Sequence, residues 1–225
     1  MEFLLDTIDI SEIEKCLAIF PISGITSNPS IIKQYGKVDF FSHFKDIRSL
    51  IGAERSLHIQ MVSEDADGIL AEAYSVLEKI DHHVFIKIPV TEQGLKAIQI
   101  LKKDDAMVTA TAIYTEAQAL LATAAGADYL AVYYNRMENM DIDPCHVISA
   151  TAKLIEWNQL KTNILGASFK NMGQVQKAFE AGANAVTVQP SLLHDALKMP
   201  AIQKAVDDFR ADWAALYGNV SIDAL

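Results

Sequence analysis

Lys87 lies inside the apolar run His83-Val84-Phe85-Ile86-Lys87-Ile88-Pro89-Val90, where a charged side chain is out of place unless it faces a site. Strand side chains alternate sides, so Val84, Ile86 and Ile88 share one face while Phe85 and Lys87 share the other. A partly desolvated lysine near the carboxyl end of a barrel strand loses its proton more readily, and the free amine then attacks carbonyl carbon. The chemistry this predicts is Schiff-base formation.

Other polar residues stand at the ends of other strand-like runs. Asp6 ends the first, Thr26 and Asn28 follow the second, Gln60 lies on the third, and Thr111 on the fifth. Tyr133, Asn135 and Arg136 follow the sixth, and Ser168 and Lys170 the seventh. Carbonyl chemistry at an amine needs a nucleophile, a proton carrier, groups that orient hydroxyls and a clamp for an anion. Lys87 is the expected nucleophile, Tyr133 a proton carrier acting through a water, and Asp6 the anchor of the lysine and a partner in proton transfer. Asn28, Thr26 and Thr111 are expected to hold hydroxyl groups. The segment Ser168-Phe169-Lys170-Asn171-Met172-Gly173 leads into a predicted helix whose free N–H groups suit a phosphate, with Arg136 completing that clamp.

Each of these residues has a plainer alternative. Lys87 alone fits a rim lysine that snorkels, and Asp6 fits a capping residue. Gln60 and Thr111 fit satisfied polar groups of the barrel core, and Arg136 fits a surface cation paired with Glu138 or Asp141. His82 and His83 are adjacent, so on a strand they point apart, and with no third ligand nearby no metal is expected.

The elements that must position these residues alternate strand with helix along the whole chain. Eight strands are predicted: 3–6, 23–26, 57–62, 84–89, 107–112, 129–133, 163–168 and 185–189. Helical stretches at 65–79, 91–103, 115–125, 145–157 and 171–181 lie between them. That order implies a parallel sheet, and eight units close most naturally into a (β/α)8 TIM barrel. A doubly wound open sheet gives a similar pattern, but no Gly-x-Gly-x-x-Gly fingerprint supports it. Ala125-Gly126-Ala127-Asp128 and Ala181-Gly182-Ala183-Asn184 each place a helix-ending glycine before a strand. Ile202, Val206, Phe209, Trp213 and Leu216 form one apolar stripe at helical spacing, on an extra C-terminal helix over 201–217. Residues 1–225 are expected to form a single barrel domain, with that helix packing on the barrel or across subunits.

A chain of 225 residues with 51% hydrophobic and 21% charged residues builds one such domain without low-complexity segments. A net charge of -10 and a pI near 5.0 argue against a nucleic-acid or anionic-membrane surface, so a phosphorylated substrate needs a local basic pocket. Cys16 and Cys145 are far apart and fit reduced thiols. Met1-Glu2-Phe3-Leu4-Leu5-Asp6 lacks the basic and apolar segments of a secretion signal, so a cytoplasmic location is expected.

Leu5-Asp6-Thr7, Gly24-Ile25-Thr26-Ser27-Asn28-Pro29-Ser30, Lys87-Ile88-Pro89-Val90-Thr91 and Ala167-Ser168-Phe169-Lys170 together resemble the small transaldolase family. The resemblance spans nearly the whole chain. It implies a class I aldolase barrel with a lysine Schiff base and neither metal nor cofactor. Lys87 matches the Schiff-base lysine, Asp6 its acidic partner, Thr26 and Asn28 the strand-two polar pair, and Arg136 and Ser168 the phosphate-binding positions. Gln60 and Tyr133 resemble the fructose-6-phosphate aldolase branch, where transaldolases typically carry Glu and Phe. What that branch implies is cleavage of fructose 6-phosphate to dihydroxyacetone and glyceraldehyde 3-phosphate. The alternative is transfer of a dihydroxyacetone unit between sugar phosphates. Ser27 and Val132 depart from the usual Thr and Pro, as does the loop Met137-Glu138-Asn139-Met140-Asp141. The resemblance also implies a homo-oligomer, a pentamer or decamer, with the Trp213 stripe as an interface.

Overall fold

The computed structural model describes all residues from Met1 to Leu225. Eight parallel strands close into a barrel in sequence order: β1 (Glu2–Asp6), β2 (Ile22–Thr26), β3 (Ser56–Gln60), β4 (Val84–Pro89), β5 (Val108–Ile113), β6 (Tyr129–Tyr133), β7 (Asn163–Ala167) and β8 (Ala185–Val188). The helices are α1 (Ile10–Ile19), α2 (Pro29–Tyr35), α3 (Phe40–Ile51), α4 (Ala66–Lys79), α5 (Glu92–Lys103), α6 (Glu116–Ala124), α7 (Tyr134–Glu138), α8 (Pro144–Trp157), α9 (Met172–Glu180), α10 (Pro190–Leu197) and α11 (Pro200–Tyr217). This is a (β/α)8 barrel with an extra C-terminal helix, as the strand–helix count predicts. The chain divides into two compact units, Met1–Pro190, which holds the barrel, and Ser191–Leu225, which holds α11. No helix is long and apolar enough to cross a membrane.

Local chemistry sets the helix starts. Asp9, Asn28, Asp39, Asp65, Thr91, Thr115, Asp143 and Asn171 each accept a backbone N–H at the first turn of the following helix. Such caps satisfy donors that helices leave orphaned, and six of them, Asp9, Asn28, Asp65, Thr91, Thr115 and Asn171, stand in strand-to-helix turns at the barrel's carboxyl end. At the opposite end, Gly126 and Gly182 adopt φ of 97° and 109°, the left-handed turn conformation that glycine tolerates without strain.

Both faces of the strands are buried, so neither faces water. Val84, Ile86 and Ile88 of β4 are fully buried on the side covered by α4 and α5. Phe85 packs inward against Leu4, Tyr129, Ala131, Leu165 and Ala185, and Lys87 shares its parity. The apolar face that sets off Lys87 in the sequence is therefore the helix-facing side, and the lysine looks into the barrel.

Candidate active site

Lys87 is only 2% exposed, so it is an enclosed amine and not a snorkelling rim lysine. Its Nζ donates to the carbonyl of Ser27 at 3.4 Å, a long hydrogen bond that leaves the nitrogen available. Burial pushes its pKa below the ordinary lysine value; the Asp6 carboxylate opposes that shift and Arg136 adds to it. Asp6 does not cap a helix; the side chain of Asp9 does. Burial instead pushes the Asp6 carboxyl up, while the Lys87 charge and a hydrogen bond from Thr26 hold it back. That bond, Thr26 Oγ1 to Asp6 Oδ1, is 2.7 Å, and the same hydroxyl lies 2.7 Å from Thr187 Oγ1.

A bulge re-aims the end of β5. The register with β6 slips between Ala110 and Ile113, and Ala112 takes a φ of 59°. Thr111 is thereby turned to donate from Oγ1 to the phenol oxygen of Tyr133 at 3.1 Å. Since that oxygen accepts, its own proton stays free to be given elsewhere. The Tyr133 ring meets Tyr114 edge-on at 5.5 Å, and the Arg136 guanidinium lies over it at 4.7 Å. Arg136 Nη1 also donates to the Tyr114 hydroxyl at 3.4 Å, so two aromatic residues orient this cation. Tyr134, in contrast, is 1% exposed and packs on Phe169, with its hydroxyl 3.1 Å from Cys145 Sγ.

A cavity of about 180 Å³ gathers these groups at the carboxyl ends of the strands. Of the residues predicted from sequence, Asp6, Asn28, Lys87, Tyr133, Arg136, Ser168 and Lys170 line it. Lys87, Arg136 and Lys170 supply positive charge there against the single carboxylate of Asp6, in a chain that is acidic as a whole. Lys170 is exposed, and Ser168 holds a left-handed φ of 64°, the kind of local strain that gathers at ligand sites.

Thr26, Gln60, Thr111 and Asn135 do not line that cavity. Thr26 and Thr111 act behind Asp6 and Tyr133. Asn135 Oδ1 accepts from Gln174 Nε2 at 3.0 Å, and Asn28, though it lines the cavity, also spends its Oδ1 capping α2 at 3.0 Å. Gln60 sits in register with Lys87 on the neighbouring strand, and its Oε1 is buried without a partner. Thr187 and Gln189 from the end of β8, and Ser30, Ile31 and Gln34 from α2, line the cavity but were missed in the sequence. A signal existed for β8, because all eight strands open on one face.

Fold and placement together define an enzyme of the α/β-barrel class, with its polar groups at the carboxyl-terminal mouth. Residues 3–220 match the family model described as Transaldolase/Fructose-6-phosphate aldolase. The chain is also 50% identical over 222 residues to a probable fructose-6-phosphate aldolase of Streptococcus pneumoniae (strain ATCC 700669 / Spain 23F-1), covering 99% of this chain and 100% of that relative. The chain belongs to the transaldolase/fructose-6-phosphate aldolase family.

Proposed function

We propose that the protein is a class I aldolase that cleaves fructose 6-phosphate to dihydroxyacetone and glyceraldehyde 3-phosphate through an imine on Lys87. The observation that carries this is the enclosed Lys87 amine, 2% exposed and with its pKa lowered by burial, opening on a cavity that also holds Arg136 and Lys170. The Lys87 nitrogen adds to the C2 carbonyl and water leaves, giving an iminium. The C3–C4 bond then breaks as the C4 hydroxyl loses its proton, and its electron pair neutralises the iminium to an enamine. Glyceraldehyde 3-phosphate departs, the enamine takes a proton at C3, and water releases dihydroxyacetone and regenerates the amine.

Tyr133, whose phenol proton is left free by the Thr111 hydrogen bond, carries protons through a water that Gln60 helps to place. Asp6 takes and returns protons beside the amine. Arg136, Ser168 and Lys170 hold the phosphate, and Asn28 meets substrate hydroxyls. For assembly we propose self-association through α11, supported by the exposed Phe209, Leu216, Ile222 and Leu225 in the Ser191–Leu225 unit. Light scattering should then give a multiple of the 24.7 kDa chain mass. The cytoplasm is the proposed location, where the Cys145 thiol stays reduced.

The test of the reaction is glyceraldehyde 3-phosphate release from fructose 6-phosphate, with and without erythrose 4-phosphate. Release without the acceptor is the expected result. Release only in its presence would overturn the lyase assignment in favour of transfer.

A further inference from the structure

Below Lys87 the barrel interior holds a polar chain that the proposed chemistry does not use. His58 of β3 and Thr109 of β5 are fully buried. His58 Nδ1 lies 2.7 Å from Thr109 Oγ1, His58 Nε2 lies 3.0 Å from Ser56 Oγ, and Ser56 Oγ donates to the Ser23 carbonyl at 3.5 Å. The His58 ring stacks on Phe85 at 4.5 Å. Thr109 is the register neighbour of Lys87 on β5, as Gln60 is on β3.

The far end of the chain fixes its direction. A carbonyl only accepts, so the Ser56 proton goes to Ser23, and Ser56 then accepts from His58 Nε2–H. With Nε2 protonated, Nδ1 of the neutral ring is an acceptor and takes the Thr109 proton. Neutrality follows from the environment: burial, then the charges of Lys87 and Arg48, lower the His58 pKa to about 3. Thr109, having one proton and having given it away, offers its neighbours only lone pairs.

We propose that His58 and Thr109 are positioning residues for Lys87. His58 turns the Thr109 hydroxyl so that its lone pairs face the Lys87 side and stabilise positive charge on that nitrogen, as ammonium and as iminium. This rests on Lys87 being the imine-forming amine. The charged and titratable groups that also face Lys87 are Asp6 from β1, Tyr133 from β6 and Arg136 from α7. The charges that act on His58 are those of Lys87 and of Arg48 on α3, and the titratable group packed against its ring is Tyr129 of β6, which meets it edge-on at 5.3 Å.

The experiment follows the rate of borohydride trapping of dihydroxyacetone on the full-length protein against pH, with adduct mass as the readout. Thr109→Val removes the acceptor without changing shape, His58→Phe keeps the stack on Phe85 but frees the hydroxyl, and Thr109→Ser restores the acceptor. Loss of an acceptor for the charged form lowers the amine's pKa, so the acid limb of the profile should move down by roughly one pH unit in the first two variants. It should return in Thr109→Ser. Folded Thr109→Val protein whose limb coincides with wild type, whatever its melting temperature, would overturn the proposal. If wild type itself forms no adduct on Lys87, the aldolase mechanism fails first and this inference falls with it.

Discussion

Replacing Lys87 with methionine tests two consequences of its burial at once. The substitution keeps length and flexibility and removes the amine. Three terms decide the stability. The hydrogen bond lost to Ser27 is long, 3.4 Å, and contributes no more than about 1 kcal/mol. Relief from desolvating an ammonium on a side chain 2% exposed is worth several kcal/mol, and the lost attraction of Asp6 offsets part of it. The variant should therefore be more stable than wild type by about 1–3 kcal/mol near neutrality. For a chain of 225 residues that is about 2–4 °C in melting temperature per kcal/mol. The sign with pH is also set. Lys87's folded pKa lies below the ordinary 10.5, so between the two the unfolded chain binds more protons than the folded protein. Wild-type stability accordingly rises with pH across that interval and is lost as pH falls through the folded value. The variant's advantage should shrink toward alkaline pH. Chemical denaturation at several pH values measures the gap, while adduct mass and product release should both be lost. A variant less stable than wild type by more than about 2 kcal/mol near neutrality would refute the reasoning, because Lys87 would then be a structural cation. Normal turnover in the folded variant would refute the imine.

Three further outcomes follow from the same geometry. Tyr133→Phe keeps the ring beneath Arg136 and removes the proton carrier, so kcat should fall about 10²–10⁴-fold with KM little changed; a kcat close to wild type would exclude Tyr133 as the carrier. Thr26→Val strips a hydroxyl 2.7 Å from both Asp6 and Thr187 and should cost about 2–4 kcal/mol in denaturant unfolding. Asp6, already raised, rises further without that bond. A carboxyl raised in the folded state adds stability while protonated and loses it as pH rises above the ordinary 3.8, so the deficit should widen with pH and a constant deficit would contradict the assignment. Gly24→Ala puts a Cβ 2.0 Å from Ser56 Oγ and 2.7 Å from the Ser56 carbonyl, and should cost about 1–3 kcal/mol; an unchanged melting temperature would show that β3 moves freely there.

The fold was legible because its signals are local. Apolar runs and helix caps recur at each unit, so the predicted helix 65–79 is observed at Ala66–Lys79 and the predicted strand 84–89 at Val84–Pro89. The predicted strand 57–62 ends at Gln60, because Met61 and Val62 already belong to the turn into α4. Lys87 stood out because one charge interrupts an apolar strand. Thr111 and Thr26 look alike in sequence, yet a bulge aims one at Tyr133 and register aims the other at Asp6. His58 is not legible as part of a network, because a histidine inside a strand carries no mark of its partners and only barrel closure brings it to Thr109. Thr187 and Gln189 went unmarked because β8 presents small or neutral side chains in place of a charge.

Asp6 and Lys87 are moved in opposite directions by one cause. Burial penalises both charged forms, so the carboxyl's pKa rises while the amine's falls, and each opposes the other's shift by its own charge. Ordinary values would leave the carboxyl always ionised and the amine always protonated near neutrality, with no nucleophile and no proton to give. Drawing the two values toward each other lowers the free-energy cost of passing a proton between them. Imine chemistry needs that, because the nitrogen must be neutral to attack and positive to draw electrons from the C3–C4 bond. A mouth open to bulk water would screen both effects. In the proposed reaction the long contact to Ser27, the Thr26 hydroxyl that limits the rise of Asp6, and the closed barrel interior around Lys87 serve one end, an amine buried enough to lose its proton and placed where it can regain one.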